Sequence, residues 1–234
     1  VVDTDEEAME AIRRFLSYLP SHHNEAPPVR PVPAGSGAGM KDILRHLPAK
    51  RTQVYDVRKV IRDVVDADSF LELKPRFGKV AVTGLARLDG RTVGIVANNP
   101  LHKGGAMDTE ACEKLTSFVV LCDSFNIPLV MFVDTPGFVI GTDAERKRAP
   151  GKIMNHMNAL SLTTVPKLSV VLPAGALPGV DQVTMTIERI SPTLFESMTG
   201  VLICPRKPMG ATRPTTTPIS MNAWRKSTWT PPSP

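Results

Sequence analysis

Three features of this 234-residue sequence predict an α/β fold with helical crossovers on parallel strands. Leu129–Val133 is purely apolar and Lys167–Leu172 largely so, the pattern of strands buried on both faces in a parallel sheet. Each follows a stretch with helical periodicity, so helix and buried strand alternate. Ahead of them, two β-rich runs meet at Asp89-Gly90, a two-residue type I′ turn signature that marks a hairpin.

The elements follow in order. Thr4 to Leu19 reads as a helix, with Thr4 and Glu7 at capping-box spacing and Asp5 and Glu6 at the positive end of its dipole. Met9, Ile12, Phe15, Leu16 and Leu19 form its apolar stripe, and Pro20 ends it. Residues 20–40 carry five prolines, then Gly35, Gly37 and Gly39, which predicts a linker that is extended first and flexible afterwards. Asp42 caps a short helical piece to Leu47. A second helix runs from Asp56 to Asp66, with Val57, Val60, Ile61 and Val64 on one face. Ser69 to Leu73 is a short strand, and the hairpin arms are Lys79–Leu88 and Arg91–Ala97. Asp108 caps a helix to about Phe125, whose buried stripe is Ala111, Leu115, Phe118, Val119 and Cys122. A further helix spans about Gly151 to Leu162, with Arg146-Lys147-Arg148 as its solvated start.

Residues 173–234 differ in kind. They hold 10 of the 22 prolines, 10 threonines and both tryptophans. No helical or alternating stripe persists there beyond a short piece around Val183 to Ile190, so this tail is expected to be poorly folded. Three units result: an inter-domain helix and Pro/Gly-rich linker (1–48), a domain (49–172) and the atypical tail (173–234).

Composition excludes several functions. The net charge of +5 divides into +3 for the tail and +2 for the other residues, with no basic stripe and few aromatics for base stacking, so nucleic acid is not favoured as a partner. No apolar run approaches the roughly 20 residues of a membrane span. Asp3, Asp5, Glu6 and Glu7 oppose a basic signal-peptide start. Cys112, Cys122 and Cys204 are too few and too scattered for a disulfide framework or a zinc knuckle, and read as reduced thiols. His22, His23, His46, His102 and His156 show no metal-ligand spacing.

Asp134-Thr135-Pro136-Gly137 after a buried strand invites a GTP-binding reading. The phosphate cradle this requires is missing, because Gly78-Lys79 is followed by Val80 and position 73 is Leu73. A nucleophilic pair of His156 with Cys122 or Ser161 is the other side-chain reading. What remains is main-chain chemistry at two glycine-bearing loops, Asn98–Gly105 and Thr135–Gly141. Both follow strand ends, where open parallel sheets place ligands. The residues alone give a location and no reaction, and no residue is assigned as catalytic.

Several runs together resemble the carboxyltransferase subunit of biotin-dependent acyl-CoA carboxylases, of the propionyl-CoA carboxylase β and methylmalonyl-CoA decarboxylase α type. They are Arg91-Thr92-Val93-Gly94-Ile95-Val96-Ala97-Asn98-Asn99-Pro100, Leu121-Cys122-Asp123-Ser124-Phe125-Asn126-Ile127-Pro128-Leu129-Val130, and Phe132-Val133-Asp134-Thr135-Pro136-Gly137-Phe138-Val139-Ile140-Gly141-Thr142. Arg13 to Ser21 and Tyr55-Asp56-Val57-Arg58 look like that family's bridge between its two halves.

The resemblance implies a crotonase-like fold of stacked ββα units, incomplete here and corresponding to the C-terminal half. It implies transfer of a carboxyl group between carboxybiotin and the α-carbon of an acyl-CoA, with pairs of backbone N–H groups stabilising the enolates. The implied cofactor is biotin carried on a partner protein. The implied partners are the biotin carboxyl carrier, the biotin carboxylase subunit, an acyl-CoA substrate and further copies of the chain. The compartment would be the cytoplasm, or the mitochondrial matrix in a eukaryote. Gly137, Phe138 and Gly141 match the loop bordering the biotin pocket, and Asn99, Gly104 and Gly105 complete the expected binding residues; no metal is expected.

The family continues past the last strand with Arg-Lys-Ala-aromatic-Gly-Gly. Here Leu177-Pro178 stand where the glycine pair belongs, and Pro178 has no N–H to donate. This predicts little activity for the chain alone, with an assembly or binding role as the alternative. It also predicts a shifted reading frame or chimeric gene near residue 172, which translation in the other two frames would reveal by restoring a Gly-Gly pattern.

Overall fold

The computed structural model describes residues 2–37, 39, 43, 45–48, 53–172 and 184–188, with backbone alone for the last five. The elements are α1 (Asp5–Leu16), α2 (Val57–Val64), β1 (Leu71–Leu73), β2 (Ala81–Leu88), β3 (Arg91–Asn98), α3 (Thr109–Ser124), β4 (Leu129–Val133), α4 (Thr142–Arg146), α5 (Ala149–Leu162), β5 (Lys167–Val171) and β6 (Thr184–Glu188). The strands form one sheet in sequence order. β1, β2 and β3 are antiparallel, β3, β4 and β5 are parallel through the α3 and α5 crossovers, and β6 runs antiparallel to β5.

Side-chain alternation sorts the core into two layers, one on each face of the sheet. Val82, Ala86, Val93, Ile95, Val130, Phe132, Leu168 and Val170 pack with the α2 stripe of Val57, Val60, Ile61 and Val64. Ala81, Leu85, Val96 and Leu129 pack with Ala111, Leu115, Phe118, Val119 and Cys122 of α3. All nine stripe residues expected on α2 and α3 are buried. The expected Asp108 cap forms, accepting the Ala111 N–H at 2.9 Å, while Asp56, expected as the first residue of a helix to Asp66, instead caps α2 by accepting the Arg58 N–H, and that helix ends at Val64. Arg58 also grips Glu72 through two bonds of 2.7 and 2.8 Å, which ties α2 to β1.

The hairpin turns as expected, with φ of 51° at Asp89 and 74° at Gly90. The buried Asp66 carboxylate holds the turn by accepting both N–H groups, at 3.1 and 2.7 Å. Among the described residues no helix is long and apolar enough to cross a membrane.

Some expectations are corrected. The described part of the Pro/Gly-rich stretch is docked rather than free: Val29 bridges Arg91, and the Arg30 N–H reaches the Gly90 carbonyl at 2.9 Å. Ser36 further receives the Ala67 N–H. Extended proline-rich backbone keeps its polar groups unpaired, so it can dock along a hairpin end. The first helix stops at Leu16, and its capping box is offset. Thr4 accepts the Glu7 N–H, but the Glu7 carboxylate takes the Asp3 N–H instead of that of Thr4. Phe15 and Leu19 pack against the core layer, whereas Met9, Ile12 and Leu16 are 50%, 51% and 56% exposed.

Arg146 closes α4, and Arg148, with φ of 59°, starts α5 from a left-handed conformation instead of lying within one helix start. Of the piece from Asp42 to Leu47, Ile43, Arg45 and His46 are in 3-10 geometry, while Asp42 and Leu44 lie outside the described residues. The piece around Val183 to Ile190 contains β6; the rest of 173–234, including Leu177-Pro178, lies outside them.

Candidate functional site

β3 and β4 run parallel and end side by side, so the loops that follow them leave the sheet together. The junction is built from main chain. Met107 donates its N–H to the Gly137 carbonyl at 2.8 Å, and Val139 donates its own to the Met107 carbonyl at 2.8 Å. This is a one-residue parallel bridge between Met107 and Phe138. Because Gly137 and Val139 spend these groups on Met107, the N–H and C=O of Phe138 point the other way. Among the described residues the Phe138 N–H has no hydrogen-bond partner.

Thr135 stitches the loops together. Its hydroxyl lies 2.8 Å from the Gly105 carbonyl, and its Oγ1 accepts the Gly137 N–H at 3.1 Å. Gly105, with φ of 81°, lies so close to Asp134 that a Cβ would sit 2.5 Å from that carbonyl oxygen. Glycine is therefore required there by approach as well as by conformation. Gly137, with φ of 124°, faces open space on the side where a Cβ would stand.

Beneath the loops lies a buried polar network. Tyr55 donates its hydroxyl to Asp134 Oδ2 at 2.9 Å, and the Asp134 N–H donates to Asn98 Oδ1 at 3.2 Å. Burial pushes the Asp134 carboxyl above the usual range against the Tyr55 hydrogen bond. Burial, followed by the Asp134 charge and hydrogen bond, pushes the Tyr55 phenol up. Tyr55 therefore stays protonated and donates.

Beside the junction lies a cavity of about 240 Å³, lined by Lys103, Met107, Asp108, Val139, Asp143 and Lys147, among others. Burial opposes the charge on Asp108. The Lys103 ammonium at 2.6 Å, the Ala111 N–H and Lys147 outweigh it and hold the carboxyl below its usual range.

The six expected binding residues divide. Phe138 is half-buried at the junction beside Gly137, and Gly105 is buried beneath them. Gly104 and Gly141 are exposed at the rim. Asn99 is fully buried: its N–H bonds the Val80 carbonyl at 2.7 Å and its Oδ1 takes the Leu101 N–H, so it braces the first loop from below.

The side-chain alternatives find no geometry. His156 is buried, which pushes its pKa down, and its Nδ1 finds no partner among the described residues. Burial also drives the Cys122 thiol well up and Cys112 up to about 11, so neither is a thiolate near neutrality. Asp134, which a GTP site would aim at magnesium, is committed to Tyr55. Gly78 abuts the Glu110 carbonyl, where its absent side chain avoids a clash. Sequence reasoning missed Met107, Thr135 and the role of Tyr55. Met107 and Thr135 act through main chain or a single hydroxyl, and the partner of Tyr55 lies 79 residues away.

A model of the carboxyl transferase domain matches residues 1–199. The chain belongs to the carboxyl transferase domain family. It is 42% identical over 170 residues to the propionyl-CoA carboxylase carboxyltransferase subunit of Haloferax mediterranei, covering 72% of this chain and 33% of that protein. It is 39% identical over 175 residues to the uncharacterized carboxylase YngE of Bacillus subtilis, covering 74% and 34%. Among solved structures it resembles transcarboxylase 12S, a hexamer seen with hydrolysed methylmalonyl-coenzyme A bound. The TM-score is 0.70 at 37% identity, covering 73% of this chain and 34% of that one. The family match extends beyond Leu172, and the fold is the family's crotonase-like one. This carboxyl transferase chain spans about a third of the length of the curated relatives it matches.

Proposed function

We propose that these residues form the biotin-facing part of a carboxyltransferase that moves a carboxyl group between carboxybiotin and the α-carbon of an acyl-CoA. Family membership supplies the reaction class. The observation that carries the reading is the Met107–Phe138 bridge, which leaves the Phe138 N–H directed away from the loop junction.

The groups present fit biotin's fused ureido ring. Half-buried Phe138, with Met107 and Val139 lining the adjacent cavity, supplies apolar side chains, the Phe138 N–H is a main-chain donor without a partner among the described residues, and Gly137 leaves room for close approach. When bound, biotin carries the transferable carboxyl on a ureido nitrogen. The chain's own part is to orient and to stabilise. The Phe138 N–H would donate toward the ureido oxygen, and a preorganised donor of this kind can lower a barrier by about 3–4 kcal/mol. The carrier bearing biotin, the biotin carboxylase subunit, an acyl-CoA such as propionyl- or acetyl-CoA, and further copies of the chain belong to the same proposal.

Equilibrium dialysis with biocytin tests the binding step: saturable retention of biocytin, with none of free lysine, is expected, and equal retention of both would overturn it. Isotope exchange between labelled carboxybiotin and propionyl-CoA tests catalysis. These 234 residues alone are expected to give negligible exchange, because Pro178 cannot supply the donor that the family's glycine pair provides. Substantial turnover would contradict that.

The exposed Met9, Ile12 and Leu16 on α1 favour a second reading, an assembly fragment that keeps a subunit interface. Co-migration with a full-length subunit on size exclusion supports it, and separate elution removes it.

A further inference from the structure

We propose that Tyr55 is a positioning residue of the carboxyl-transfer site, setting the Thr135–Gly141 loop through its hydrogen bond to Asp134. The inference rests on the reading above for the reaction the loop serves, but the coupling itself stands on geometry.

Tyr55 is a fixed point. It is buried immediately before the Asp56 cap of α2, whose four apolar side chains are buried in the core, and Arg58 locks the helix to Glu72. From that anchor the hydroxyl reaches Asp134, the first residue after β4 and 4% exposed. Asp134 then touches both loops. Its N–H is held by Asn98 at the end of β3, and its carbonyl abuts Gly105. The next residue, Thr135, bonds Gly105 and Gly137, and Gly137 accepts the Met107 N–H that sets the direction of the Phe138 N–H. An unbroken run of contacts therefore leads from Tyr55 to the proposed donor.

Stability alone gives no reason for the pair. Burying a carboxyl and a phenol costs free energy even when they bond each other, and an apolar pair of similar shape can do as well. A hydrogen bond adds direction: it fixes where the Asp134 side chain points, and with it the chain that enters the loop.

The test is amide hydrogen exchange on the whole chain without biotin, comparing the junction amides of Met107 and Val139 with those of Val130 and Phe132 in β4. In Tyr55→Phe, which keeps the ring, the junction amides are expected to exchange about tenfold faster, as for local loss of one buried hydrogen bond, while the β4 amides change less than about threefold. Unchanged junction amides, or junction and β4 amides accelerating together, would overturn the proposal. A second variant, Asp134→Asn, keeps an acceptor for the hydroxyl, and its junction amides are expected to stay within about threefold of the parent. Junction exchange as fast as in Tyr55→Phe would show that charge, and not the hydroxyl bond, holds the loop, and the proposal would fail. No biotin is present in these measurements. Failure of biocytin to bind would remove the carboxyl-transfer reading and leave the Tyr55–loop coupling to be judged by exchange.

Discussion

Lys114 shows how one residue can set a pH dependence. It lies on α3, is 1% exposed, and donates to the Ala81 carbonyl at 2.7 Å. Burial pushes its pKa down to about 8, with Glu72 acting in the opposite direction. Between that value and the ordinary 10.5 the unfolded chain holds more protons than the folded one, so folded stability rises with pH across this window. Urea unfolding at pH 7.5 and pH 10 should show the parent gaining about 1–3 kcal/mol relative to Lys114→Met. An equal response in both proteins would refute the assignment. Glycine substitution separates approach from conformation in the first loop. Gly104 faces open space with φ of 59°, whereas Gly105 abuts Asp134. Gly104→Ala should cost about 1 kcal/mol and Gly105→Ala about 3 kcal/mol or more, measured by chemical denaturation. Similar losses would show that Asp134 can yield to the added methyl group.

At the scale of elements, the hairpin and the docked N-terminal segment share one support. Asp66 receives the N–H groups of Asp89 and Gly90, and the Gly90 carbonyl receives Arg30. Asp66→Ala leaves two donors without their acceptor and should destabilise the chain by about 2–4 kcal/mol, whereas a change in melting temperature of less than about 2 °C would contradict that support. Local chemistry made most elements legible. Asp89-Gly90 fixed the turn, Asp108 fixed the start of α3, and the α2 and α3 stripes identified buried faces. Long-range docking was not legible, since nothing local to Val29 or Arg30 announces a hairpin end as its partner. Nor does α1's periodicity distinguish Phe15, which packs on the core layer, from Met9, Ile12 and Leu16, which stay exposed. At the site, the loop glycines were legible because positive φ and close approach leave a composition signature. The Met107–Phe138 bridge left none, because main-chain hydrogen bonds are indifferent to side-chain identity.

For the whole molecule, parallel β3 and β4 at the centre of the sheet bring two separate loops to the same C-terminal end of the strands, and the two core layers, carrying α2 and α3, flank them. The loop architecture is consistent with the chemistry proposed above, in which preorganised main-chain donors act. The histidine and cysteine geometry among the described residues agrees with this, since burial holds His156 neutral and the two thiols protonated near pH 7. The most direct measurement is a titration of the isotopically labelled chain with free biotin, following each backbone amide by NMR. The Phe138 amide should show the largest saturable shift, with smaller shifts at Gly137 and Val139 and none at His156 or Cys122. Saturable shifts centred elsewhere, with Phe138 unmoved, would contradict the main-chain site.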